Sequence, residues 1–158
     1  MSESTKSAIK TDTLSDALWE LARSSEDANN YEKAASYYDR LYTRHPKNRN
    51  ALLGYARNLR YLGLAKDAIK TLQSWEAEDT DLYIKIEIGK AQLAASLIND
   101  AKITLTQVVE KDPKLWEAHS ALGIIYDRLK DFKSAHESYQ TALKLSPDNT
   151  NIKNNFAL

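Results

Sequence analysis

The chain has 158 residues, of which 22 are basic and 22 acidic, so its formal net charge at pH 7 is zero. Domains that bind nucleic acid usually carry an excess of basic residues, because phosphate contacts supply most of their affinity, and this composition argues against that class. The absence of cysteine excludes disulfides, thiolate metal sites and a cysteine nucleophile.

The first 14 residues, MSESTKSAIKTDTL, are predicted to form a flexible segment. They lack the apolar stretch of about 7 to 15 residues that a signal peptide contains. Further along the chain the apolar runs are too short to span a bilayer. With only four glycines and three prolines, and with leucine and alanine far more frequent than valine, the composition favours helices over strands.

The prolines indicate an internal repeat. Pro113 and Pro147 are 34 residues apart, and Pro46 precedes Pro113 by 67, one short of two such periods. If each proline closes an equivalent unit, four units cover residues 15–48, 49–81, 82–115 and 116–149. Position 8 of the units is then always small and position 20 always alanine: Ala22, Ala56, Gly89 and Gly123, followed by Ala34, Ala68, Ala101 and Ala135.

Each unit is predicted to be a hairpin of two helices. Positions 4, 7, 8 and 11 share one face of a first helix, and positions 17, 20, 24 and 27 share one face of a second. The small residues at positions 8 and 20 let the two helices approach closely, while the proline ends the second helix. Because a single hairpin cannot bury its apolar face, the hairpins are expected to stack.

The fourth unit carries the clearest motif, LGIIY at 122–126 followed by FKSAHESYQTALKLSP at 132–147. This pattern resembles the tetratricopeptide repeat (TPR), and the resemblance covers residues 15–149. It implies an all-α fold, an α-solenoid that winds as a right-handed superhelix of four TPR hairpins. The second unit departs from the pattern with Trp75 and Thr80, so a local irregularity is expected around Glu76–Asp81.

The last residues, TNIKNNFAL, continue the repeat. Phe156 and Ala157 fall at positions 7 and 8 of a further unit, where the other units carry a large and a small residue. Residues 150–158 are therefore predicted to form a partial ninth helix, as a truncated fifth repeat or a cap, with Ile152 and Phe156 docked on the fourth unit. The chain is accordingly interpreted as a fragment or a shortened member of a longer array.

The TPR resemblance implies that the first helices line a concave face. Arginine and tyrosine recur there, a combination that suits an extended or helical peptide with acidic and apolar side chains. The alternative is that these residues are ordinary solvated charges with tyrosines filling the space between helices. The predicted protein- or peptide-binding groove comprises Arg23, Arg57, Arg60, Tyr61, Tyr83, Ile86, Lys90 and Arg128.

Two narrower functions are not supported by the residues. In TPR proteins that clamp the carboxyl terminus of chaperones, lysine and asparagine are needed where this chain has Trp19 and Gly54. The three histidines occupy different positions in the repeats, so the sequence pattern does not bring them together, and the chain has no glycine-rich phosphate loop. We therefore predict no enzymatic activity, no metal site, no cofactor and no small-molecule substrate.

Three stretches, residues 52–72, 86–95 and 115–158, resemble the TPR proteins of bacterial tight-adherence (Flp-type) pilus assembly. The resemblance implies a protein–protein interaction scaffold whose partners are pilus or secretion subunits, in the periplasm or at the outer membrane. The N-terminus as written has neither a signal peptide nor a lipobox cysteine, which would place the chain in the cytoplasm instead. The alternative function is a soluble chaperone or adaptor that holds a client peptide in the groove, and self-association through an end repeat is a further possibility.

Overall fold

The computed structural model describes the backbone of residues 3–75 and 80–157. Within these ranges the chain forms nine α-helices and no strand, which confirms the all-α prediction, including the ninth helix. The helices are α1 (Glu3–Asp27), α2 (Tyr31–Arg44), α3 (Arg49–Tyr61), α4 (Ala65–Gln73), α5 (Leu82–Ala94), α6 (Ile98–Lys111), α7 (Trp116–Arg128), α8 (Phe132–Leu145) and α9 (Thr150–Ala157).

The chain divides into two compact units, residues 1–72 and 73–158. Helix α1 of the first unit is helical from Glu3, well before Ser15, where the repeat phase begins. The flexibility expected of residues 1–14 stays a prediction. The irregularity expected around Glu76–Asp81 lies largely outside the described residues, which omit 76–79.

Two residues after the first helix of each hairpin, one residue lies in the left-handed region of the backbone. This residue comes fourteen positions after the first residue of each predicted repeat, and its φ angle is close to +60° or +80°. Glycine adopts that conformation without strain at Gly63, whereas the other three hairpins use a residue with a side chain. The four residues are Asn29, Gly63, Ser96 and Lys130.

The core of the first unit joins α1, α2 and α3. Leu18 and Ala22 of α1 pack with Tyr38 and Leu41 of α2, all of them buried. Leu21, which the repeat phase assigns to a packing position, is 44% exposed. The equivalent residues, Ile88 of α5 and Leu122 of α7, are buried, so α1 exposes a side chain that the later first helices bury.

The core of the second unit is built from α5, α6 and α7. Leu105 and Val108 of α6 lie between apolar residues of the two flanking helices, and Ile125 of α7 is fully buried among them. Helix α9 contacts α8. Ile152 of α9 is fully buried, and the Phe156 ring of α9 lies 4.7 Å from the His136 ring of α8. Of the described helices, none combines the length and the apolar character that crossing a bilayer requires.

Candidate protein-binding site

The first unit has an open cleft between its first helices, α1 and α3. The cleft has a volume of about 440 Å³ and combines two arginines with aromatic, apolar and amide side chains. An opening of this size and chemistry suits a short segment of another protein better than a small molecule, because it is shallow and polar. Its lining consists of Trp19, Arg23, Tyr38, Asn50, Leu53 and Arg57.

Arg57 of α3 is held by a carboxylate of α1. Its Nε donates to Oε1 of Glu26 at 2.6 Å and its second guanidinium nitrogen donates to Oε2 at 2.9 Å. Such bidentate, charge-assisted pairs are the strongest side-chain hydrogen bonds in proteins. The fully buried Asn58 donates to the same carboxylate at 3.1 Å and to the carbonyl of Gly54 at 2.8 Å. Arg57 is therefore fixed in place and its charge is partly neutralised.

The ring of Tyr38 lies beneath this ion pair. Its centroid is 5.8 Å from the Arg57 guanidinium carbon and 5.8 Å from the Trp19 ring, which meets it edge to face. A β-carbon added at Gly54 would lie only 2.5 Å from the Tyr38 ring. Helix α3 can approach the ring this closely because residue 54 has no side chain. Burial and the charge of the nearby Glu26 carboxylate raise the pKa of Tyr38, so this residue interacts with both the aromatic and the charged part of the cleft.

Arg23 is the exposed cation of the cleft. Its guanidinium carbon lies 5.6 Å from the centroid of the Trp19 ring, a distance at which a cation is attracted to the face of an indole. Acidic side chains of the same helix, Asp16, Glu20 and Asp27, lie around it. The cleft thus presents one exposed guanidinium beside an aromatic surface.

Arg60 and Tyr61, predicted as groove residues, do not belong to the lining of this cleft. The Arg60 guanidinium carbon lies 4.8 Å above the Tyr61 ring, and that ring also packs against Tyr31 at 4.8 Å. Tyr61 thereby connects the start of α2 with the end of α3. The two side chains thus pack together, and their role in binding stays a prediction.

In the second unit the four predicted groove residues lie in different environments. Tyr83 is 45% exposed, and Lys90 is half-buried. Arg128 is exposed at the end of α7, where one guanidinium nitrogen donates to the carbonyl of Leu93 at 3.2 Å. Their role in binding stays a prediction.

The prediction that Ile86 lines a groove was wrong. Its side chain is 4% exposed and belongs to the apolar core that α5, α6 and α7 share. Helix α7 carries Ala118 and Ala121 in the same cluster, and these small residues leave room for Ile86 between the two first helices. The periodicity identified the correct helix face, but that face is covered at this position.

Sequence reasoning missed the partner of Arg57. Glu26, which neutralises this arginine, was not among the predicted groove residues. A signal was present, because Glu26 and Arg57 are oppositely charged and 31 residues apart, slightly less than one repeat. Side chains with that spacing come from adjacent first helices and can meet across them. Tyr38 occupies packing position 24 of the first unit, and its ring also lines the cleft.

The Glu26–Arg57 ion pair predicts a pH-dependent stability. Burial alone would raise the pKa of Glu26, but hydrogen bonds from Arg57 and Asn58 and the charge of Arg57 outweigh it, so the pKa lies below its usual value of 4.5. A carboxyl group whose pKa is lower in the folded state stabilises the fold above its unfolded pKa, and this stability is lost as the pH falls through the folded pKa. Glu26→Gln should therefore reduce the free energy of unfolding near pH 7, and the difference from the unaltered chain should shrink in acid.

Urea unfolding followed by circular dichroism at pH 7 and at about pH 3 tests this prediction. Asp27→Asn is the matched control, since Asp27 is the exposed neighbour of Glu26 on the same helix. If the difference in unfolding free energy between Glu26→Gln and the unaltered chain is the same at both pH values, the prediction is contradicted.

The helical hairpins follow one another at nearly equal spacing, and each turns at an equivalent residue with a left-handed backbone. This arrangement defines a helical-repeat protein. Residues 26–93 and 116–149 both match family models described as tetratricopeptide repeat, so the chain belongs to the tetratricopeptide repeat family. Proteins of this family bind other proteins or peptides, and a scaffold for protein interaction is the function that the repeat implies.

Solved structures share this fold. TTC0263, a thermophilic TPR protein of Thermus thermophilus, superposes with a TM-score of 0.80 at 20% identity over 90% of this chain and 79% of that one. YrrB, described as a TPR protein with an unusual peptide-binding site, gives a TM-score of 0.64 at 19% identity over 91% and 75%. MamA gives 0.62 at 20% identity over 86% and 80%. At these identities the likeness concerns the fold alone.

Two curated proteins are related in sequence. The type IV pilus assembly protein PilF of Pseudomonas aeruginosa is 32% identical over 79 residues, which are 50% of this chain and 31% of that protein. The general transcriptional corepressor ssn6 of Schizosaccharomyces pombe is 26% identical over 145 residues, 86% of this chain and 13% of that protein. The chain thus spans less than a third of either relative.

Proposed function

We propose that the chain is a protein-interaction scaffold that binds a short segment of a partner protein in the cleft between α1 and α3. We further propose that this binding serves the assembly of a pilus or a related secretion apparatus. The proposal that the cleft binds a partner segment rests on the exposed Arg23 guanidinium, which lies beside the Trp19 ring at the edge of a preorganised cleft. Such aromatic and arginine side chains are the groups that most often dominate the energy of protein interfaces.

The charges of the cleft restrict the ligand. Arg57 already pairs with Glu26, so the exposed cation available to a ligand carboxylate is Arg23. Leu53 and Trp19 offer apolar surface next to it, and the amide of Asn50 can pair with a peptide backbone. The preferred segment accordingly carries a single carboxylate flanked by apolar or aromatic residues, whereas a run of acidic residues would meet Glu26 and the other carboxylates of α1.

The pilus part of the proposal is supported by the relationship to the type IV pilus assembly protein, which covers half of the chain. It agrees with the narrower resemblance to tight-adherence pilus proteins that residues 52–72, 86–95 and 115–158 carry. Pilus machines are assembled from many protein subunits, so a repeat scaffold with a cleft for a short segment fits such a role. A soluble adaptor that holds a client peptide would use the same cleft.

Arg23→Glu tests the cleft. A fluorescein-labelled acetyl-Ala-Phe-Glu-Leu-Ala-amide peptide should bind the unaltered chain, and the variant should bind it about tenfold more weakly or worse, because a charge-assisted hydrogen bond becomes a repulsion. Fluorescence anisotropy measures the dissociation constant. Replacing the peptide glutamate by glutamine should cause a similar loss.

Arg40→Glu is the matched control, since it makes the same charge change at an exposed position of α2 outside the cleft lining. Equal binding by Arg23→Glu and Arg40→Glu would refute the cleft as the site. Purified pilin and pilus-assembly subunits, tested in place of the peptide, separate the two functions. If the peptide binds but no such subunit does, the pilus role fails and the adaptor role is favoured.

A further inference from the structure

In both the first and the last full hairpin, a tyrosine of the second helix lies close to a carboxylate near the end of the first helix. The Tyr139 hydroxyl of α8 donates to Oδ2 of Asp127 in α7 at 2.9 Å. In the first unit Tyr38 of α2 lies close to Glu26 of α1, and burial together with the charge of that carboxylate raises the pKa of the tyrosine. In each pair the tyrosine follows the acidic residue by 12 positions, so the two pairs occupy the same place in the repeat.

The two carboxylates differ in what else they bind. Glu26 also accepts two hydrogen bonds from Arg57, which follows it by 31 residues, and a third from Asn58. Among the residues that the structure describes, the recorded partner of the Asp127 carboxylate is the tyrosine hydroxyl. A carboxylate accepts about four hydrogen bonds, so Asp127 retains most of its capacity.

The position of Asp127 adds a reason to expect a cation. It lies in the last turn of α7, where the helix dipole is negative and disfavours another negative charge. Arg128, the next residue, directs its guanidinium to the Leu93 carbonyl at 3.2 Å. Burial and the hydrogen bond to Asp127 raise the pKa of Tyr139, so its hydroxyl remains a proton donor that fixes the orientation of the carboxylate.

We infer that Asp127, oriented by Tyr139, is a binding site for an arginine side chain of a partner protein. The Glu26–Arg57 pair shows, within the same chain, how a carboxylate at this repeat position receives a guanidinium in bidentate geometry. Arginine fits better than lysine because its planar fork matches both carboxylate oxygens at once. The site lies in the second unit and selects a positive ligand, so it does not depend on the cleft between α1 and α3.

Three pentapeptides test the site on the unaltered chain: acetyl-Gly-Gly-Arg-Gly-Gly-amide and its lysine and citrulline versions. Citrulline keeps the shape of arginine but has no charge. Titration followed by carboxylate carbon-13 NMR should show that the arginine peptide shifts the Asp127 signal at concentrations on the order of ten to a hundred millimolar, as expected for one charge-assisted interaction. The citrulline peptide should bind about tenfold more weakly, with the lysine peptide between the two. Equal binding of the arginine and citrulline peptides would overturn the inference.

Two variants extend the test. Asp127→Asn keeps the side-chain shape and should weaken binding of the arginine peptide by about tenfold, whereas Asp100→Asn, at an exposed position of α6, should leave it unchanged. Tyr139→Phe keeps the ring but removes the hydroxyl that orients the carboxylate, and should reduce the preference for arginine over lysine. Binding that is unaffected by Asp127→Asn would show that the carboxylate is not the site.

Discussion

Tyr38→Ala is expected to lower the free energy of unfolding by about 3–5 kcal/mol, the range for removing a buried aromatic ring. The ring is 3% exposed and belongs to the core that joins α1, α2 and α3. Its removal would also leave Trp19 without its edge-to-face neighbour. Because Gly54 has no side chain to fill the space, the cavity can close only if α3 itself moves.

Tyr38→Phe is the matched variant for this prediction. It keeps the packed ring and removes only the hydroxyl, so it should cost about 1 kcal/mol or less, since one polar interaction contributes no more than about that much. Urea unfolding followed by circular dichroism measures both variants. Equal losses from Tyr38→Ala and Tyr38→Phe would mean that the hydroxyl, and not the packing of the ring, dominates.

The same two variants connect the stability of the first unit with binding. Trp19, Arg23 and Arg57 are positioned on opposite sides of the cleft by helices that meet at the Tyr38 ring. Tyr38→Phe should therefore keep most of the affinity for the glutamate peptide, while Tyr38→Ala should lose it. A cleft that still binds the peptide after loss of the ring would not need this support.

The fold could be predicted because the same packing constraints recur in each repeat of the sequence. Residues such as Ala34 and Ala101 are small at the place where two helices touch, and both are fully buried. Proline at the end of a hairpin and apolar residues at helical spacing add independent constraints. Even the ninth helix followed from two residues, Ile152 and Phe156, that continue the pattern.

The site was less predictable, because periodicity assigns a side chain to a helix face but not to its contacts. Arg23 and Arg57 occupy the same repeat position, yet Arg57 is paired with Glu26 whereas Arg23 is exposed beside Trp19. Ile86 occupies the same position as Trp19 and Leu53, which line the cleft, but small residues of α7 let it pack into the core. Such differences arise from the residues of the neighbouring helix, which a count along one helix does not include.

Ending the chain after Asn149 is expected to lower the melting temperature by about 5–15 °C. Helix α9 has eight residues and would be marginal in isolation, so its helicity depends on docking against α8. The fully buried Ile152 contributes about 1.5–3 kcal/mol by burial, and Phe156 adds contacts with the His136 and Tyr139 rings at 4.7 and 5.9 Å. In a chain of this size each kcal/mol shifts the melting temperature by about 2–4 °C.

Ile152→Ala separates the side chain from the rest of the helix. It should cost about 2–3 kcal/mol, near the lower end for a buried isoleucine because a terminal helix can adjust to the smaller residue. Lys153→Ala is the control, since Lys153 is exposed on the same helix. A thermal melt followed by circular dichroism compares these variants with the shortened chain. If Ile152→Ala accounts for most of the loss, α9 stabilises the second unit through one apolar contact, whereas an unchanged melting temperature after truncation would show that α9 does not stabilise it.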